Sequence, residues 1–140
     1  MVRTRLVVTL ACVSSVATVG CSSNGSPGAT GDGITGTQQD FSITLSPTSF
    51  AAGDVTFNVT NRGPSTHEFV IVKSDQDPGS FPVEDGEVPE DSLDVIDEIE
   101  DMAPNTSQAL TVSLDAGSYV VMCNLPDHYQ QGMHAGLTVT

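Results

Sequence analysis

The chain has 140 residues, 38% of them apolar and 16% charged, which suits one domain with appendages and a buried core. Four basic residues stand against 18 acidic ones, a formal charge of −14. That balance excludes nucleic-acid binding, which needs Lys and Arg to neutralise phosphates. Tryptophan is absent and aromatic residues make up only 5% of the chain, so a core must rely on Val, Leu, Ile and Phe. The abundance of Val and Thr favours strands.

The N-terminus reads as an address and not as fold. Arg3 and Arg5 precede an apolar stretch from Leu6 to Val19. That stretch is shorter than the roughly 20 apolar residues of a membrane span and has the layout of an export signal. Thr18-Val19-Gly20-Cys21 resembles the lipobox of bacterial and archaeal lipoproteins, with Thr18 where that motif favours Leu. The resemblance implies that residues 1–20 are a signal peptide and that Cys21 is lipidated and becomes the first residue of the mature protein. Residues 21–37 are dominated by Gly, Ser, Thr and Pro and read as a flexible tether. The expected location is therefore extracytoplasmic, with the domain held on the outer membrane face by lipid on Cys21. A single acyl chain binds only marginally, so durable anchoring calls for several.

Beyond Cys21, only Arg62 and Lys73 are basic against all 18 acidic residues, a formal charge of −16. Both a cationic redox partner and a plain solvated acidic surface, of the kind salt adaptation favours, fit that charge.

Short alternating runs follow the tether. Phe41 to Leu45 alternates apolar and polar, as a half-buried strand does. Pro47 breaks it, and Ala51 to Asp54 is a turn. Val55 to Thr60 alternates with Val55, Phe57 and Val59 on the buried face. Asn61-Arg62-Gly63-Pro64 turns the chain into a strand from Glu68 to Lys73. Ser74 to Asp94 is rich in Asp, Glu, Pro and Gly and reads as a solvated excursion with a short helical turn after Pro89. The carboxylates from Glu84 to Asp101 could hold a hard cation, but they lack an Asp-x-Asp-x-Asp-Gly loop. Val95 to Met102 fits both a helix and an edge strand, and the edge strand is the preferred reading. Ala109 to Leu114, Ser118 to Cys123 and Ala135 to Thr140 complete the set. About seven to eight short strands at this spacing predict an all-β sandwich.

The chemistry lies near the end. Cys123, His128 and Met133 are spaced Cys-x4-His-x4-Met, and His67 opens a strand 56 residues before Cys123. Thiolate, imidazole and thioether make a soft donor set, suited to copper cycling between Cu(I) and Cu(II). A trigonal His67–Cys123–His128 plane with Met133 as a long axial ligand suits both oxidation states, so little has to move when an electron arrives. Cys12 lies in the signal and Cys21 is taken by lipid, which leaves Cys123 without a disulfide partner.

On Ala52-Gly53, Asn61-Arg62-Gly63, Thr66-His67-Glu68-Phe69, Ala116-Gly117-Ser118-Tyr119, Cys123-Asn-Leu-Pro-Asp-His128-Tyr and Gly132-Met133, the chain resembles the cupredoxins. These are the small blue-copper proteins, plastocyanins, halocyanins and rusticyanin-like proteins among them. The resemblance spans residues 38–140. It implies a Greek-key β-sandwich, one copper ion held by His67, Cys123, His128 and Met133, and one-electron transfer. It further implies redox partner proteins, a cationic cytochrome or membrane oxidase among them, and a monomer. Pro126 and Tyr129 are expected to pack around the site or to ring the exposed edge of His128. Two positions depart from the usual pattern: Asp127, where many relatives have Gly, and Glu68, where plastocyanins have Asn.

An oxidase is the first alternative, but three histidines in the whole chain cannot build a second copper centre, and the residues flanking Cys123 are Met122 and Asn124. The expectation is therefore not an enzyme. An extracytoplasmic copper carrier or chaperone could use the same four ligands. His134 is expected to face solvent.

Overall fold

A computed structural model describes residues 33–140. The signal, the lipobox with Cys21 and most of the tether lie outside them. Nine strands form two sheets: β1 (Ile34–Gln39), β2 (Ser42–Ser46), β3 (Ser49–Phe50), β4 (Gly53–Asn61), β5 (His67–Lys73), β6 (Asp94–Met102), β7 (Ser107–Leu114), β8 (Gly117–Met122) and β9 (His134–Val139). One sheet has the order β2-β1-β4-β7 and the other β3-β9-β8-β5-β6. The chain crosses between sheets at β2–β3, β3–β4, β4–β5, β6–β7 and β7–β8, as a Greek-key sandwich requires. The all-β sandwich expected from the alternating runs is the fold.

Two strands were not legible. β1 begins at Ile34, four residues before the expected domain boundary at 38, and pairs antiparallel with β2 and parallel with β4. Its inward positions are Ile34, Gly36 and Gln38. Gly and Gln carry no apolar signal, so the alternation is invisible. Gly36 is required there: a Cβ would lie 3.3 Å from Phe69 and 3.3 Å from Val59. β3 has only two residues, too few for any period.

The core lies between the sheets. Phe57 and Val59 of β4 meet Phe69 and Ile71 of β5, Tyr119 and Val121 of β8, and Leu137 and Val139 of β9. Phe57 and Phe69 are fully buried with ring centroids 5.5 Å apart. Each such side chain contributes about 1.5–3 kcal/mol by leaving water.

β5 is buried on both faces, which explains its unbroken Phe-Val-Ile-Val run. Val70 and Val72 point away from the main core into a second cluster with Phe81, Val88, Val120, Met122 and Tyr129. The β5–β6 segment is therefore a packed cover over the outer face of the second sheet, not a solvated excursion. Its acids, half-buried Glu90 excepted, face water while Phe81 and Val88 face in. The short helical turn forms at Glu90–Ser92.

β6 is a strand at the sheet edge, as preferred above, antiparallel to β5. Its run of carboxylates discourages pairing with another sheet. Between His67 and Phe69 the β5–β6 ladder slips by one residue, and Asp101 takes φ +48° beside the slip. The bulge thus lies next to His67, and bulges commonly re-aim neighbouring side chains.

Candidate metal centre

Three ligand positions come from two places. His67 is the first residue of β5 and is fully buried. Cys123 follows the last residue of β8, and His128 lies in the loop that returns the chain to β9. That loop closes on itself. The amides of Cys123 and Met133 donate to the carbonyls of Met133 (3.0 Å) and His128 (3.2 Å), and those of His128 and Gly132 to Leu125 (3.0 Å) and Tyr129 (3.0 Å). Asp127 takes φ +66° and Gly132 φ +113°. Asp and Asn visit the left-handed region more readily than most residues, so Asp127 can stand where relatives use Gly.

The cover braces this loop. Tyr129 is buried; its hydroxyl donates to Pro78 O (2.5 Å) and accepts from Phe81 N (3.0 Å). Asn124 Oδ1 accepts from Val88 N (2.8 Å), and its Nδ2 donates to Val88 O (2.9 Å) and to the Glu90 carboxylate (2.8 Å). Asp127 N donates to Gly86 O (2.8 Å). Tyr129 thus anchors the cover and does not ring His128. His134, expected to face solvent, is half-buried against Tyr129, with centroids 5.1 Å apart, and faces solvent only in part.

The donor atoms converge. His67 Nδ1 lies 3.2 Å from His128 Nδ1, and Cys123 Sγ lies 3.4 Å from the same nitrogen. All three donors fall within 4.8 Å of one another. Two imidazole lone pairs that face each other this closely repel unless a proton or a cation lies between them. Nitrogens about 2.0 Å from one ion at a near-tetrahedral angle sit about 3.3 Å apart, so the spacing fits a shared metal. Glu68 N donates to Cys123 Sγ (3.2 Å). That bond comes from backbone, so Glu68 in place of Asn leaves it intact. Met133 is fully buried and tied into the same loop by its backbone.

Electrostatics follow burial. Desolvation pushes the Cys123 thiol up, against the Glu68 and Leu125 amides that lower it. A cation in the site would reverse that balance, since coordinating thiols are deprotonated. Burial also lowers His67, opposed by the neighbouring Asp40 carboxylate. Burial thus favours the neutral form of each group, the protonated thiol of Cys123 and the unprotonated imidazole of His67. Glu68 is pushed up to about 7, first by burial and then by Glu90, Glu98, Asp101 and Glu100.

Two residues at the site had no sequence signal. Phe41, expected on the buried face of its strand, precedes β2 and is 36% exposed. Its ring meets His128 edge-on at 5.2 Å and 75°. Asp40 lies beside it, with Oδ1 2.9 Å from His67 Nε2.

No family model matches the chain, and no curated protein matches it. Solved structures do. Reduced auracyanin from Roseiflexus castenholzii is 23% identical, with a TM-score of 0.54 over 76% of this chain and 94% of that one. Auracyanin A, described as a "blue" copper protein from Chloroflexus aurantiacus, is 20% identical, with a TM-score of 0.55 over 76% and 97%. Reduced rusticyanin is 20% identical, with a TM-score of 0.55 over 76% and 77%. Two mixed sheets, a loop with Cys123 and His128 between the last two strands and these structural neighbours lead to one conclusion: the chain has the cupredoxin fold.

Proposed function

We propose that the protein holds one copper ion and carries single electrons between redox partners outside the cell membrane. The observation that carries this reading is the convergence of buried His67 Nδ1 from β5 with Cys123 Sγ and half-buried His128 Nδ1 from a loop already closed by its own hydrogen bonds. His67, Cys123 and His128 would form the ligand plane, and Met133 would supply a soft axial sulfur. Bound there, copper would supply a one-electron couple between Cu(I) and Cu(II).

The chain's own residues do the rest. β5 and the braced loop hold the donors in place, which keeps reorganisation small. The core clusters exclude water from His67 and Cys123. His128 is the half-exposed member of the trio, with exposed Phe41 against its ring. Electrons enter and leave at that edge, through an apolar contact with the partner. The acidic surface suits a partner of positive charge, a cytochrome or membrane oxidase. A pre-built site of this rigidity favours electron transfer over copper delivery, which requires easy release.

Cu(II) added to the purified protein should raise an intense thiolate-to-copper band in the visible. One electron equivalent should bleach it, and reoxidation should restore it. A colourless Cu(II) complex with Cys123 reduced and intact would sink the reading, and ready loss of copper to a weak chelator would favour the carrier.

The reading includes an anchor: lipid on Cys21 holds the domain at the outer membrane face. The export-signal layout and the motif ending at Cys21 support it. Cys21→Ala should move the protein from the membrane fraction to the soluble one. An unchanged distribution would remove the anchor from the reading.

A further inference from the structure

The turn between β1 and β2 touches both imidazoles. Phe41 meets His128, and Asp40 meets His67. The second contact involves the nitrogen of His67 that does not face the other ligands. Nε2 is buried, lies 2.9 Å from Asp40 Oδ1 off the line of an ideal hydrogen bond, and has no other polar partner. With Nδ1 aimed at His128 and Cys123, a neutral His67 must carry its proton on Nε2. Asp40 is the acceptor within reach.

The carboxylate is itself held. Ser65 Oγ donates to Asp40 Oδ2 (2.6 Å) and Ser65 N to Oδ1 (3.2 Å). Ser65 is held in turn by Asn61, whose Nδ2 donates to Ser65 O (2.8 Å) and Met102 O (2.8 Å) and whose Oδ1 accepts from Gly63 N (2.6 Å). Asn61 is fully buried. The side chain of Asp40 is only 16% exposed. This is a chain of fixed contacts from the buried end of β4 to the imidazole.

We propose that Asp40 is a positioning residue. It fixes His67 in the tautomer that leaves Nδ1 free to ligate, and it places a full negative charge one imidazole away from the metal. The proposal rests on the copper reading for its second half and on the protein alone for its first. A carboxylate behind a ligating imidazole makes it a stronger donor, and outer partners of this kind are worth about 10–100-fold in metal affinity. The added charge favours Cu(II) over Cu(I) and so lowers the reduction potential.

Asp40→Asn removes the charge and keeps the shape. It should lower the ratio of Cu(II) to Cu(I) affinity about tenfold, which raises the potential by about 59 mV for a one-electron couple, with the thiolate band unmoved. Ser65→Ala, which loosens the carboxylate without removing it, should shift the potential the same way by less. In the metal-free protein, 15N spectra should show His67 as the Nε2–H tautomer in wild type and a mixture in Asp40→Ala. An unchanged potential in Asp40→Asn and Ser65→Ala alike would overturn the electrostatic role. An unchanged tautomer in Asp40→Ala would overturn the positioning role. A wild-type protein with no copper band would defeat the copper reading separately, and the metal-free spectra would still decide the pairing.

Discussion

Cys123→Ser is expected to abolish the intense visible band of the Cu(II)-loaded protein and to weaken copper binding by more than about 100-fold. The band needs a thiolate on the metal, and Cys123 is the sole cysteine among the described residues. A serine hydroxyl is a hard, neutral donor at ordinary pH and cannot replace it. The fold should survive, because Oγ fills most of the space of Sγ and still accepts from Glu68 N. Visible spectroscopy, a competitive copper titration and circular dichroism on one sample separate these effects. Met133→Leu provides the contrast: loss of an axial sulfur should leave the band and raise the potential. An intense band surviving in Cys123→Ser would refute the ligand assignment.

Phe69→Ala should cost about 3–5 kcal/mol, read as a lower midpoint in denaturant unfolding. Phe69 has no exposed surface and packs on Phe57 at 5.5 Å. The cavity would open beneath β1, where Gly36 passes close to the Phe69 ring. A double-mutant cycle adds a sharper check. Gly36→Ala should cost stability in wild type and less in Phe69→Ala, since one of its two close neighbours has gone. Val59 remains near, so the relief should be partial. Equal costs in both backgrounds would mean that β1 does not pack as described. Phe69 sits two residues from His67 in β5, so the same substitution should also broaden copper binding.

Legibility in the sequence followed the strength of the local signal. β4, β7 and β9 alternate and were readable, and β8 was readable from its apolar run Tyr119 to Met122, buried on both faces. β5 was readable from its apolar run. The ligand trio was readable because two of its members share one short loop and the third opens a strand. β1 was not, because its inward positions include Gly36 and Gln38. Gln38 is fully buried and its side-chain amide donates to Glu68 O, a tertiary contact with no sequence pattern. The β5–β6 segment misled for a related reason. Its composition is that of a solvated loop, and only Phe81 and Val88 betray its packing. Asp40 and Phe41 sit at a turn, where side-chain direction depends on the backbone path. Phe41 continued the alternation of Ile43 and Leu45 on paper, yet the turn rotates it out to His128.

The cover over the second sheet divides its residues by task. Asp75, Asp77, Glu84, Asp85, Glu87 and Asp91 are exposed. The contacts that brace the ligand loop run through Pro78 O, Phe81 N, Gly86 O and the backbone of Val88, with the half-buried Glu90 carboxylate as the one acidic side chain among them. Backbone donors and acceptors do not change when a surface side chain does. Surface charge at those exposed positions, Glu90 apart, can therefore drift, residue by residue, towards a different partner or a different salinity while the metal centre keeps its shape. The molecule separates whom it meets from what it carries, and the two can be retuned independently.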